Sequence, residues 1–149
     1  MTIEDVIKSN VPLGLQEKTI LNLNFSGYLV EEKLLEKLKP YGLSLQQYNV
    51  MRILRGQKGN PVNLFVIQER MINKMSNTTR LVDKLELKGW VHRQVCPENK
   101  RKVEIVITDA GLQVLKELDP IVSKTNIEIL NKLSFQELDI LNTILDKLK

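Results

Sequence analysis

The chain has 149 residues, 42% of them apolar and 27% charged, with a net charge of +4. That is the profile of a single globular domain, 1–149, with enough apolar material for a real core, and no apolar run approaches the roughly 20 residues that would cross a bilayer. The N-terminus MTIEDVIKSN lacks the basic start and apolar stretch of a secretory signal, so no membrane partner and a cytoplasmic setting are expected. One cysteine, Cys96, and one histidine, His92, are too few for a disulfide or a structural zinc site, so neither metal nor cofactor is expected.

Charge is unevenly divided. Residues 52–102 hold twelve Lys and Arg against four Asp and Glu, a local +8, while the flanks together sum to −4. A basic middle third suits a polyanionic partner, although charge alone describes a solvated basic surface equally well.

In chain order, Ile20, Leu21, Leu23, Leu34, Leu35 and Leu38 mark apolar stripes of a long helix over about Leu15–Leu38, ended by Pro40 and Gly42. Ser44-Leu45-Gln46-Gln47 fits a capping box for a second helix, continued by Val50, Ile53 and Leu54 and stopping near Gly56. After the turn formers GQKGNPVN, Asn63 caps a short third helix with Leu64, Val66, Ile67 and Met71.

A fourth helix is expected in NKMSNTTRLVDKL, Asn73 to Leu85. At 100° per residue, Met75, Thr78, Leu81, Val82 and Leu85 fall on an inward side. The other side carries Ser76, Asn77, Thr79, Arg80 and Lys84, with Lys74 just ahead. Short polar side chains let a helix backbone come close to a surface, and an Arg among them offers a planar fork matched to guanine or phosphate. That suits a recognition helix in a major groove; a solvated face of small polar residues is the other reading.

After Gly89 the period changes from helical to alternating. Trp90–Val95 and Val103–Thr108 read as two short strands, and Cys96-Pro97-Glu98-Asn99-Lys100-Arg101-Lys102 joins them as a hairpin with cations near its tip. Arg101 suits a narrow minor groove, and Lys100 and Lys102 suit phosphates. Mere solubility would also produce such a tip.

Helix, turn, helix and basic hairpin in this order make a winged helix-turn-helix. The chain resembles the MarR family of bacterial transcription regulators from about Leu15 to the C-terminus. The resemblance lies in Tyr41-Gly42-Leu43-Ser44-Leu45-Gln46-Gln47-Tyr48, in SNTTRLVDKLELKG from Ser76 to Gly89, in Arg93 at the start of the hairpin, and in Ile107-Thr108-Asp109-Ala110-Gly111, which is similar to the family's L-T-x-x-G. The hairpin departs from the family's Asp-x-x-Asp-Arg-Arg: Cys96-Pro97-Glu98-Asn99-Lys100-Arg101 lacks both carboxylates, so a wing Arg loses the Asp that helps hold it, and a more mobile wing is expected.

The resemblance implies a mainly α fold with a small β-hairpin wing, a DNA-binding lobe over 41–108, and dimerisation helices over 10–39 and 109–149. It further implies a homodimer on a pseudo-palindromic double-stranded site, acting as a repressor and relieved by a small aromatic or phenolic effector. Leucines and isoleucines from Leu112 to Leu148, including a helix opened by the capping box Ser134-Phe135-Gln136-Glu137, supply apolar surface for a partner subunit, and Pro120 should kink the long helix or start a new segment. Phe25, Tyr28 and Tyr48 are candidates to line an effector cleft between the first and second helices, although aromatic residues there also serve as core. No cysteine stands near the start of the first helix, where a redox-sensing branch of the family has one. Catalysis has little support, since His92 and Cys96 come with no evident orienting acid. The alternative is a winged-helix module that binds another protein without sequence-specific DNA binding.

Overall fold

The computed structural model describes residues 1–149 as seven α-helices and one two-stranded antiparallel sheet. Helices α1 (Ile3–Ile7) and α2 (Leu15–Leu38) are followed by α3 (Leu45–Gly56), α4 (Leu64–Arg70) and α5 (Thr78–Leu87). Strands β1 (Val91–Val95) and β2 (Val103–Ile107) form the hairpin, and α6 (Asp109–Leu130) and α7 (Phe135–Asp146) close the chain. The mainly helical fold with a hairpin wing is as expected, and no helix is long and apolar enough to cross a membrane.

Local signals place most helix starts. Ser44 and Gln47 form the expected reciprocal box at α3, Asn63 caps α4, Thr108 caps α6, and Ser134 with Glu137 opens α7. Helix α1 was not anticipated. It is held by a Thr2–Asp5 box, by burial of Ile3, and by a 2.8 Å ion pair from Glu4 to Lys18 of α2. At α6 the expectation of a new segment is corrected, because the helix runs unbroken through Pro120. Pro120 removes the donor for the Lys116 carbonyl, and both residues are exposed, where water can replace it.

The core lies in the winged lobe. Leu43, Val50, Met51, Leu54, Ile67, Met71, Val82, Leu85, Val91, Ile105 and Ile107 are buried together, joined by Leu38 from α2 and Leu115 and Leu118 from α6. The sheet pairs Val91 with Ile107 and Val95 with Val103. Val62 adds an isolated bridge to Ile105, exchanging backbone bonds of 3.0 and 2.7 Å, inside a stretch whose turn formers gave no hint of pairing.

Gly111 explains the Ile107–Gly111 motif. A Cβ there would lie 2.2 Å from the Trp90 carbonyl oxygen, so only glycine lets α6 start this close to the hairpin. Thr108 fastens the same corner: its hydroxyl donates to the Gly89 carbonyl at 2.7 Å and accepts from the Gly111 N–H at 3.1 Å.

Candidate nucleic-acid interface

The unit α4–turn–α5 is held by side chains that take up backbone donors. Asn63 accepts from the Val66 N–H at 3.0 Å, Asn73 from the Met75 N–H at 3.0 Å, and Asn77 from the Arg80 N–H at 3.1 Å. Helix α5 therefore begins at Thr78, not near Asn73, which corrects the expected boundary. Asn side chains at 73 and 77 offer nearby N–H groups an acceptor that competes with the helix, so the segment makes a turn and a cap first. Met75, expected on the inward side, is 92% exposed on that turn. Thr78, Val82 and Leu85 are buried as expected.

Of the anticipated reading residues, Thr79, Arg80 and Lys84 are exposed on α5. Asn77 precedes them as the cap, and Ser76 lies half-buried in the turn, its hydroxyl oxygen shielded and without a hydrogen-bond partner. Lys74 is exposed, with its ammonium donating to the Glu69 carbonyl.

Two residues that sequence reasoning passed over hold the turn in place. The Asn49 carboxamide accepts from the Ile72 N–H at 2.9 Å, while Gln68 donates to the Lys74 carbonyl at 2.9 Å and accepts from the Thr78 hydroxyl. Polar residues on helices read as solvent-facing in a sequence, so periodicity carried no signal for these roles.

The hairpin tip exposes Lys100, Arg101 and Lys102. Its backbone is closed by bonds from the Cys96 N–H to the Lys102 carbonyl and from the Lys102 N–H to the Asn99 carbonyl, both 2.9 Å. The Asn99 side chain accepts from the Arg101 N–H at 3.1 Å, so an amide supports the tip where the family carries a carboxylate. At the base of the wing the Arg93 guanidinium pairs with Asp83 of α5, and the Arg93 N–H donates to Glu86 at 2.9 Å. These bonds tie the wing to α5.

Not all of the +8 is available to a partner. Arg93 is neutralised by Asp83, and one guanidinium nitrogen of Arg55, Nη1, donates to both carboxylate oxygens of Asp119 of α6 at 3.0 and 2.8 Å. The Lys88 ammonium sits 4.8 Å from the Trp90 ring centroid, and the Arg52 guanidinium 5.8 Å from that of Tyr48. Exposed cations that make no ion pair include Arg80 and Lys84 on α5 and Lys100, Arg101 and Lys102 on the tip.

A cavity of about 290 Å³ opens between α2 and α3, with Val30, Leu34, Leu45, Tyr48, Met71 and Ile72 as its apolar lining and Glu31, Gln46, Asn49, Arg52 and Asn73 as its polar lining. Tyr48 is there as anticipated, and its burial pushes the phenol pKa up. Phe25 and Tyr28 are not among the lining residues. Phe25 lies nine positions before Leu34, which at about 100° per residue is the opposite face of α2; it packs against Tyr28, ring centroids 6.3 Å apart.

The sequence profile of the MarR family matches residues 43–103, from just before α3 to the first residue of β2. A MarR transcription factor from Planctomyces limnophilus is 32% identical over 91% of this chain and 98% of its own, with a TM-score of 0.70. Two more distant structures share the fold. One is Sco3205, a MarR family transcriptional regulator from Streptomyces coelicolor in complex with DNA: 22% identity, 94% and 91% coverage, TM-score 0.78. The other is BpsR from Bordetella bronchiseptica, whose DNA binding is regulated by 6-hydroxynicotinic acid: 17% identity, 93% and 97% coverage, TM-score 0.80. With a capped helix presenting Thr79 and Arg80 to solvent beside a basic hairpin, and with that level of likeness across the chain, this protein belongs to the MarR family of DNA-binding transcription regulators.

Proposed function

We propose that the chain acts in the cytoplasm as a homodimeric repressor that binds a pseudo-palindromic duplex. The lobe 41–108 reads DNA, and the segments 10–39 and 109–149 supply the dimer contact. Lys74, Ser76, Asn77, Thr79, Arg80 and Lys84 serve the major groove, and Lys100, Arg101 and Lys102 the backbone and minor groove. The observation that carries this reading is the first turn of α5: Thr78, Val82 and Leu85 anchor one side in the core, leaving Thr79 and Arg80 free on the other. N-terminal residues of a recognition helix are those that reach base edges.

The test is Arg80→Ala, titrated on a duplex selected from the protein's own genome and on a scrambled duplex. Loss of a bidentate base contact costs roughly 1–3 kcal/mol on the selected duplex and much less on the scrambled one. Equal binding of both duplexes by variant and parent would leave α5 as a polar face and favour a protein partner.

Dimerisation is supported by surface left uncovered. A compact monomer of 17.2 kDa exposes about 7,800 Å², whereas this chain exposes 10819 Å². Apolar side chains at both ends contribute to it: Leu15 and Ile20 of α2 and Ile127, Phe135, Ile140 and Ile144 of the C-terminal helices are more than half exposed.

The cavity beside Tyr48 is the proposed effector site, taking a small aromatic acid with its ring against Tyr48 and Leu34 and its carboxylate near Arg52. The Asn49–Ile72 bond on its wall connects it to the turn before α5. A ligand that strains this bond weakens DNA binding, and DNA must weaken the ligand by the same factor. With 6-hydroxynicotinic acid as probe, calorimetry with and without saturating duplex should give different affinities; equal values would exclude the coupling.

A further inference from the structure

The turn between α4 and α5 displays two large apolar side chains, Ile72 and Met75, on a hydrogen-bonded framework. Met71 anchors its start at 1% exposure, and Thr78 its end at 6%. Between them, side chains of Asn49, Gln68 and Asn73 each bond to its backbone at 2.9–3.0 Å, and the Ser76 N–H donates to the Asn73 carbonyl at 3.2 Å. Met75 stands out from this framework at 92% exposure, two residues before the cap of α5, with Lys74 beside it.

A single exposed apolar residue on a protein surface is ordinary. Ile72, 84% exposed three residues earlier, belongs to the lining of the cavity beside Tyr48; Met75 stands nearer α5, on the lip of the helix whose first turn is proposed to read bases, with Lys74, Ser76 and Asn77 as its chain neighbours. In the major groove the apolar group offered by base edges is the thymine 5-methyl. A methionine suits that target, since its unbranched, polarisable chain adapts to a methyl whose position varies with the step.

We propose that Met75 is a specificity-determining residue that packs on thymine 5-methyl groups in the major groove beside the bases read by α5. This rests on the DNA-reading orientation of α5 proposed above. The contact adds apolar burial that phosphate-binding cations cannot supply, and it favours A·T pairs at the edge of each half-site without a hydrogen bond.

The experiment uses the full chain. Duplexes are selected from a random-sequence pool, and the best is resynthesised with deoxyuridine replacing thymine one position at a time, which removes only the methyl. Parent and Met75→Ala are titrated on each. The parent should lose about fourfold at one position in each half-site, the worth of one buried methyl-sized group. Met75→Ala, which removes the contact from both half-sites, should bind the thymine duplex weaker by about sixteenfold, fourfold for each half-site, and be indifferent to deoxyuridine at that position. Because Met75 is exposed, the variant should keep the parent's thermal unfolding and its affinity for scrambled duplex. If Met75→Ala still senses every methyl that the parent senses, or the parent senses none, the inference is overturned while the DNA-reading role stands. If the parent enriches no duplex at all, both fall.

Discussion

Asn77 has one role in the fold and a second one proposed at the DNA, and substitution can separate them. Its carboxamide oxygen caps α5 through the Arg80 N–H, so Asn77→Ala should cost the fold about 1 kcal/mol, read by chemical denaturation. Aspartate caps as well as asparagine. Asn77→Asp should therefore keep the parent's stability while weakening selected and scrambled duplex alike, because it puts a carboxylate where phosphates approach. Parent-like DNA binding by Asn77→Asp would remove residue 77 from the interface. At this scale the sequence showed residue types better than positions. SNTTR stood out as small, polar and cationic, but Ser76 and Asn77 lie before the helix and Met75 faces outward. Hydrogen-bonding Asn side chains set that boundary, and helical periodicity does not register them.

Among the elements, the wing carries the clearest expectation. Its tip exposes three cations in succession on a backbone closed by its own bonds and by Asn99. Lys100→Ala or Lys102→Ala should weaken selected and scrambled duplexes similarly and lower the salt slope by about one per lost phosphate contact. A salt titration reads this directly, and an unchanged slope would take the tip off the DNA. Element starts governed by neighbours three residues apart were legible: the boxes at Ser44 and Ser134 and the caps at Asn63 and Thr108 are local chemistry. The same signal is present in Thr2-Ile3-Glu4-Asp5, but five residues show too little apolar period to mark α1 in the sequence. Phe25 and Tyr28 mark the opposite limit. Their types suited a cleft, but which face of α2 meets α3 depends on packing across the molecule.

For the whole molecule, three features favour the proposed pairing of two protomers. The Arg55–Asp119 ion pair, spanning 64 positions in sequence, links α3 to α6, whose far half exposes Ile127 and Leu130. Helix α7 buries none of its residues within one chain. An excess of about 3,000 Å² over a compact monomer is what a protomer of an extensive dimer would bring to its partner. The apolar ends were readable from composition along the chain, whereas the inter-lobe bond was not, since nothing local pairs residue 55 with residue 119. Two lobes related by a two-fold axis should meet the same face of a duplex one turn apart. The most direct measurement is a hydroxyl-radical footprint of the parent protein on its selected duplex, with light scattering of the same complex. Two protomers per duplex and two symmetric protected half-sites centred about 10 base pairs apart are expected. One protomer on a single unsymmetrical patch, or uniform protection without half-sites, would contradict the proposed dimer.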